Sequence, residues 1–166
     1  DVAQEAGVAD GTIYLYFKNK DDILISLFES KMDLILTRFR EAISRSDDPI
    51  EKLNLFFKLY FNLIKEDEKL AEVFQVELRQ SGKFLKDYKN QKFSDYLNLI
   101  AEIIQEGIDS AFFRPDINVQ IMKLVIFGAI DEVARQWILG AESKYSLEEA
   151  TKEVSRTLIS GLLSTQ

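Results

Sequence analysis

The residues best equipped for chemistry near the start are Thr12, Tyr14 and Tyr16, three hydroxyls within five positions, with Gly11 before them and Lys18 and Lys20 after. Hydroxyls donate to phosphate oxygens or read base edges, ammonium groups pair with phosphates, and a glycine lets a partner approach the backbone closely. A second charged group spans 79–92, where Arg79, Lys83, Lys86, Lys89 and Lys92 stand against one acid, Asp87. It reads as a solvated face or as a site for an anionic head group. A third is Asp131, Glu132, Arg135 and Gln136, polar positions inside an apolar helix. That set is an interfacial polar network, a solvated edge or a ligand contact.

Other chemistries are excluded by composition. The chain has 166 residues, no cysteine and no histidine. Disulfides, thiol nucleophiles, Cys/His zinc sites, haem-His ligation and a Ser-His-Asp triad all fall away. A di-iron carboxylate bundle, which needs Glu-x-x-His motifs, falls with them. The net charge of −7 argues against coating nucleic acid by bulk electrostatics, but leaves room for a small local basic face. No apolar run reaches the ~18 residues of a membrane span, so no membrane partner is expected. The absence of cysteine is compatible with a cytoplasmic setting.

The elements that must position these residues are helical throughout. Two prolines and seven glycines are the only strong punctuation. Between them apolar residues recur at i, i+3 and i+4, and no stretch alternates as a strand would. About eight helices are expected. The first, 1–6, ends at Gly7, and the second, 11–17, is capped by Asp10. A long third runs from Asn19 to about Ser44 with Ile23, Leu24, Leu27, Phe28, Leu34, Ile35 and Phe39 as its buried stripe. Asp48-Pro49-Ile50-Glu51 opens the next, to about Lys65. Helices over 67–81 and 83–110 are separated by Gly82. Asp116 caps 117–139, and Ser146-Leu147-Glu148-Glu149 opens the last, to about Leu163. Helix 117–139 is apolar around most of its circumference, which predicts burial on more than one side.

The first two helices and their Gly7 turn fit a helix-turn-helix, whose second helix lies in the DNA major groove. Ile13 and Phe17, four apart, face inward there; Thr12, Tyr14 and Tyr16 project outward. The segment from Asp1-Val2-Ala3-Gln4-Glu5-Ala6-Gly7 through Gly11-Thr12-Ile13-Tyr14-Leu15-Tyr16-Phe17-Lys18-Asn19-Lys20 to Leu24 resembles the DNA-binding signature of the TetR family of bacterial repressors. Ala9 departs from it, since many members carry Ser or Thr there. The resemblance implies an all-α, TetR-like fold: a helix-turn-helix head over 1–22, its first helix lying before Asp1; a connecting helix over 23–44; and a ligand-binding and dimerisation domain over 45–166. It implies base or backbone contacts by Gly11, Thr12 and Tyr14, phosphate contacts by Tyr16, Lys18 and Lys20, and no catalysis. It also implies a homodimer through 117–139 and 146–163 on a palindromic double-stranded operator.

A narrower resemblance, to the fatty-acid-degradation regulators of that family, is carried by Val76-Glu77-Leu78-Arg79-Gln80-Ser81, by Ile126-Phe127-Gly128-Ala129-Ile130-Asp131-Glu132 and by the Trp137 segment. It implies a repressor of fatty-acid-degradation genes released by long-chain acyl-CoA, an effector rather than a cofactor, with no metal. The expected ligand contacts are Phe56, Tyr60, Phe74, Leu78, Arg79, Tyr96, Ile100, Phe127, Asp131 and Trp137. Other readings are a repressor answering another hydrophobic ligand or drug, and a helical lipid carrier with a degenerate head.

Overall fold

The computed structural model describes residues 2–5, 7, 9–86, 89–140 and 145–164; of Val2, Ala3, Asp10, Leu85 and Lys86 it describes the backbone only. Among the described residues every regular element is a helix. The head holds α1 (Val2–Glu5) and α2 (Asp10–Tyr16), joined across Gly7, whose φ of +67° is a backbone shape that glycine adopts without a Cβ clash. Helix α2 begins at Asp10 itself. The cap position is Ala9, extended and without a side-chain bond, so the expected cap at Asp10 sits one residue too late.

Helix α3 (Lys20–Ile43) follows, capped by Asn19, whose Oδ1 accepts from the Asp22 N–H at 3.0 Å. Its buried residues are Leu24, Phe28, Met32, Leu36 and Phe39. This row advances by four and then three, so Leu34, expected in the stripe, falls outside it and is 57% exposed, at the open edge of the cavity described below. Helix α4 (Pro49–Glu66) starts under Asp48, which accepts from the Ile50 and Glu51 N–H groups. Glu51 takes the Ser46 hydroxyl at 2.6 Å. Leu53, Phe56, Phe57, Phe61 and Ile64 place α4 at the centre of the core, where it packs against α3 and the helices that follow.

The chain then departs from the two helices expected over 67–81 and 83–110. Helix α5 (Glu68–Glu72) leads into a π-helical turn (Val73–Glu77), α6 (Leu78–Gln80), an extended Ser81, and α7 (Gly82–Lys86). Helix α8 (Gln91–Asp109) begins only after Asn90, whose side chain caps it by accepting from the Phe93 N–H. Gly82 therefore opens a short helix rather than ending a long one, and a second break falls at Lys89 and Asn90, just before α8. Helix α9 (Val119–Leu139) is capped by Asn118, not by Asp116, whose carboxylate is held by Arg114 at 2.7 Å. Helix α10 (Leu147–Leu162) has the capping box formed by Ser146 and Glu149.

The corner between α8 and α9 is tied to the end of α10 by an antiparallel bridge between Phe113 and Leu163. The ring of Phe113 fills the space where Gly107 has no side chain: a Cβ there would lie 2.0 Å from Cδ2. On α9 one face is buried, at Ile126, Ile130, Asp131 and Ala134, whereas Ile121, Leu124 and Val125 are exposed. The all-round apolarity thus resolves into one face packed on the core and one apolar face uncovered in the protomer.

Candidate ligand cavity and nucleic-acid face

A cavity of about 690 Å³ opens between α3, α4, the α5–α7 segment, α8 and α9. Its wall is largely apolar: Phe28, Met32, Ile35 and Phe39 from α3, Leu63 and Ile64 from α4, Leu70, Phe74 and Leu78 from the segment that follows, Phe93 from α8 and Phe127 from α9. The irregular stretch from α5 to α7 explains why room exists. A straight helix there would lay one continuous face against α4. The π turn instead adds a residue to one turn, a feature common at functional sites, and brings Phe74 and Gln75 onto the wall.

One polar cluster stands inside the cavity. Asp131 is 7% exposed. Its Oδ1 accepts from Gln75 Nε2 at 2.7 Å and from the Tyr60 hydroxyl at 3.3 Å, and its Oδ2 accepts from Arg79. A buried carboxylate needs such partners, because an unpaired charge out of water costs several kcal/mol. Burial, with the Asp131 charge next in weight, pushes the Tyr60 phenol well above its ordinary value, and the same two causes act on Tyr96. The Tyr96 hydroxyl and Gln75 Oε1 are buried and make no hydrogen bond. The Arg79 side chain, 42% exposed, spans from this cluster to solvent. At the other rim Arg38 binds Glu66 in bidentate fashion, at 2.8 and 3.0 Å.

Of the residues expected at the ligand, Tyr60, Phe74, Leu78, Arg79, Tyr96, Phe127 and Asp131 line this cavity. Phe56, Ile100 and Trp137 do not. Phe56 and Ile100 are fully buried. Phe56 packs its ring on Phe39 and Tyr96, one layer behind the wall, and Trp137 lies half-buried six residues beyond Asp131 on α9. Periodicity marks all of these as inward; it does not distinguish wall from core. Sequence reasoning misses Gln75, because a glutamine amid apolar residues gives no signal until the π turn points it inward.

The basic group at 79–92 is largely neutralised. Arg79 pairs with Asp131, Lys83 with Asp22 and Lys92 with Asp33; Lys89 is exposed, and the Lys86 side chain lies outside the described residues. The set of four on α9 separates. Asp131 faces the cavity, while Glu132 on the outer face holds Arg135 and Gln136 and is lowered to about 2, chiefly by Arg135.

On the head, Ile13 and Phe17 are half-buried, and Tyr14 and Tyr16 are 71% and 78% exposed. Thr12 is half-buried; Gly11, Lys18 and Lys20 are exposed. Lys20 is paired with Glu77 of the π turn. Leu15, to which sequence reasoning gives no role, is 81% exposed.

A short two-helix head carried on one long helix, above a larger helical body with an apolar cavity, is the architecture of a helix-turn-helix regulator, and comparisons place it. Residues 1–27 match the model of bacterial regulatory proteins of the tetR family, and residues 28–161 match that of the C-terminal region of YsiA-like proteins, a TetR C-terminal family. The chain belongs to the TetR family of transcriptional regulators. It is 43% identical over 161 residues to the fatty acid metabolism regulator protein of Bacillus subtilis, covering 97% of this chain and 82% of that one. The crystal structure of FadR from B. subtilis in complex with stearoyl-CoA superposes with a TM-score of 0.87 at 43% identity, over 97% of this chain and 86% of that one. The fatty acid degradation regulator FadR from Bacillus halodurans gives a TM-score of 0.85 at 40% identity, with the same coverage. Among the described residues no helix is long and apolar enough to cross a membrane.

Proposed function

We propose that this TetR-family regulator represses fatty-acid-degradation genes and leaves its operator when long-chain acyl-CoA fills the cavity. The observation that carries this reading is the pairing of an apolar cavity of about 690 Å³ with Arg79, a guanidinium that spans from the buried Asp131 to solvent. The acyl chain lies along the apolar wall. Each buried CH₂ contributes about 0.8 kcal/mol, so a long chain supplies on the order of 10 kcal/mol before ordering costs. The cavity volume falls within the ~300–1,000 Å³ usual for ligand sites. Arg79 turns from Asp131 to the anionic CoA portion. The likeness to a relative crystallised with stearoyl-CoA supports the choice of ligand.

DNA binding belongs to the exposed face of α2 and the start of α3. Gly11, Thr12 and Tyr14 face bases or backbone, and Tyr16, Lys18 and Lys20 face phosphates. The uncovered apolar face of α9, with α10, forms a homodimer. Twofold symmetry then sets two heads ~34 Å apart on a palindromic operator. A body of net negative charge limits adhesion to random DNA.

Calorimetric titration with a chain-length series of saturated acyl-CoAs tests the ligand. Affinity should rise about four-fold per CH₂ until the cavity is full, with a negative heat-capacity change. Arg79→Met should weaken every member of the series and leave the increment per CH₂ unchanged. Uptake of another amphiphile with no acyl-CoA binding would transfer the reading to a different hydrophobic effector.

A further inference from the structure

The most exposed large apolar side chain among the described residues, Leu15 at 81%, sits in the middle of the head's second helix. An exposed leucine alone is ordinary; the position of this one is not. Leu15 is two residues from Ile13 and two from Phe17, the pair that turns inward. Two residues on an α-helix are about 200°, so Leu15 stands directly opposite that pair. Tyr14 and Tyr16 flank it, both exposed. Gly11, one turn earlier on the same face, has nothing among the described residues within 4 Å of where a Cβ would be, and its φ is not positive. Among the described residues neither packing nor backbone shape requires a glycine there, although glycine costs a helix about 1 kcal/mol relative to alanine. The space beside Leu15 is therefore kept open toward the outside.

Resting on the DNA-binding reading above, we infer that Leu15 reads sequence by packing on a thymine methyl group in the major groove. A leucine side chain neither donates nor accepts a hydrogen bond. The apolar feature that the base edges of the major groove present is the thymine C5-methyl. Gly11 lets the duplex come close enough for contact. Lys18 and Lys20, one turn on, hold the backbone, and Tyr14 and Tyr16 bracket the step. Leu15 is thus a specificity-determining residue, distinct from the hydroxyls and cations that supply hydrogen bonds and charge.

The test uses the full-length protein and a duplex that it selects from a random-sequence pool. Each thymine is replaced singly by deoxyuridine, which deletes the methyl and keeps every hydrogen-bonding group. Wild-type protein should lose about four-fold at one thymine per half-site, the effect of one methyl-sized group. Leu15→Ala should bind the unmodified duplex about that much more weakly and should be indifferent to deoxyuridine at the same position. Its affinity for random duplex and its salt dependence should match wild type, because no phosphate contact is lost. The inference is overturned if no thymine methyl matters, or if L15A and wild type lose equally on deoxyuridine. If the wild-type protein selects no sequence at all, the DNA-binding reading falls and Leu15 falls with it.

Discussion

Lys20, the first residue of α3, is paired with Glu77, the last residue of the π turn. The head is thereby joined to the body by a side-chain link as well as by the long helix. Lys83 holds Asp22 in parallel. Two residues before Glu77, Gln75 holds Asp131 in the cavity. One turn of π-helix thus touches both the ligand cavity and a lysine proposed to bind the operator.

Glu77 and a phosphate compete for the same ammonium group. Glu77→Gln should raise operator affinity in the ligand-free protein by no more than about five-fold, since an exposed pair contributes up to about 1 kcal/mol. Lys20→Met should lower it and reduce the slope of log K against log salt by about one. In the Lys20→Met background the Glu77 substitution should change nothing, which fluorescence anisotropy on a labelled duplex can decide. An equal gain in both backgrounds would mean a general charge effect.

Gly128 on α9 is exposed, with nothing among the described residues within 4 Å of the place a Cβ would take. A side chain there leaves the protomer fold undisturbed and meets only what covers the apolar face. Gly128→Glu should yield a monomer in analytical ultracentrifugation with an unchanged circular dichroism spectrum. Operator affinity should fall on the order of a hundred-fold, as the second half-site no longer assists the first.

Gly107 is the opposite case. Its missing Cβ is the space that Phe113 occupies. Gly107→Ala overpacks the α8–α9 corner, costs about 1–3 kcal/mol, and should lower the Tm by roughly 2–4 °C for each kcal/mol. Differential scanning calorimetry measures this directly.

Tyr60 and Tyr96 are raised well above the ordinary phenol value by burial and by the Asp131 charge. A folded-state pKa above the unfolded one means that the folded state holds its protons more tightly. This contribution to stability is complete below pH ~10, the ordinary phenol value, and is lost as pH rises from there toward the folded-state values. An ultraviolet titration of phenolate absorbance should show Tyr60 and Tyr96 ionising together with unfolding.

Local signals are legible where a few neighbouring residues decide the outcome. Asn19, Asp48 and Ser146 cap the helices expected of them, because a side-chain oxygen needs only the next two or three N–H groups. Asp116 misleads because Arg114, two residues back, claims its carboxylate and leaves capping to Asn118. The stretch 67–110 reads as two helices. Its breaks at Ser81 and at Lys89 and Asn90, and the π turn, arise where the wall must bend around the cavity, which no local pattern encodes. Apolar spacing gives Phe56 and Tyr96 equal standing, yet of the two Tyr96 alone reaches the cavity. Which layer a buried ring occupies depends on helices distant in the chain. Charge pattern at 79–92 reads as a solvated face or an anion site, whereas Asp22, Asp33 and Asp131, all remote in sequence, take three of its cations.

On the function proposed above, occupancy of the cavity weakens the hold on DNA. The most direct test is to titrate stearoyl-CoA into the full-length protein bound to its selected duplex and follow anisotropy, with free CoA and stearate as controls. Stearoyl-CoA should release the duplex, and by linkage added duplex should weaken acyl-CoA binding by the same factor. A protein that binds stearoyl-CoA and holds its duplex with undiminished affinity would contradict the account.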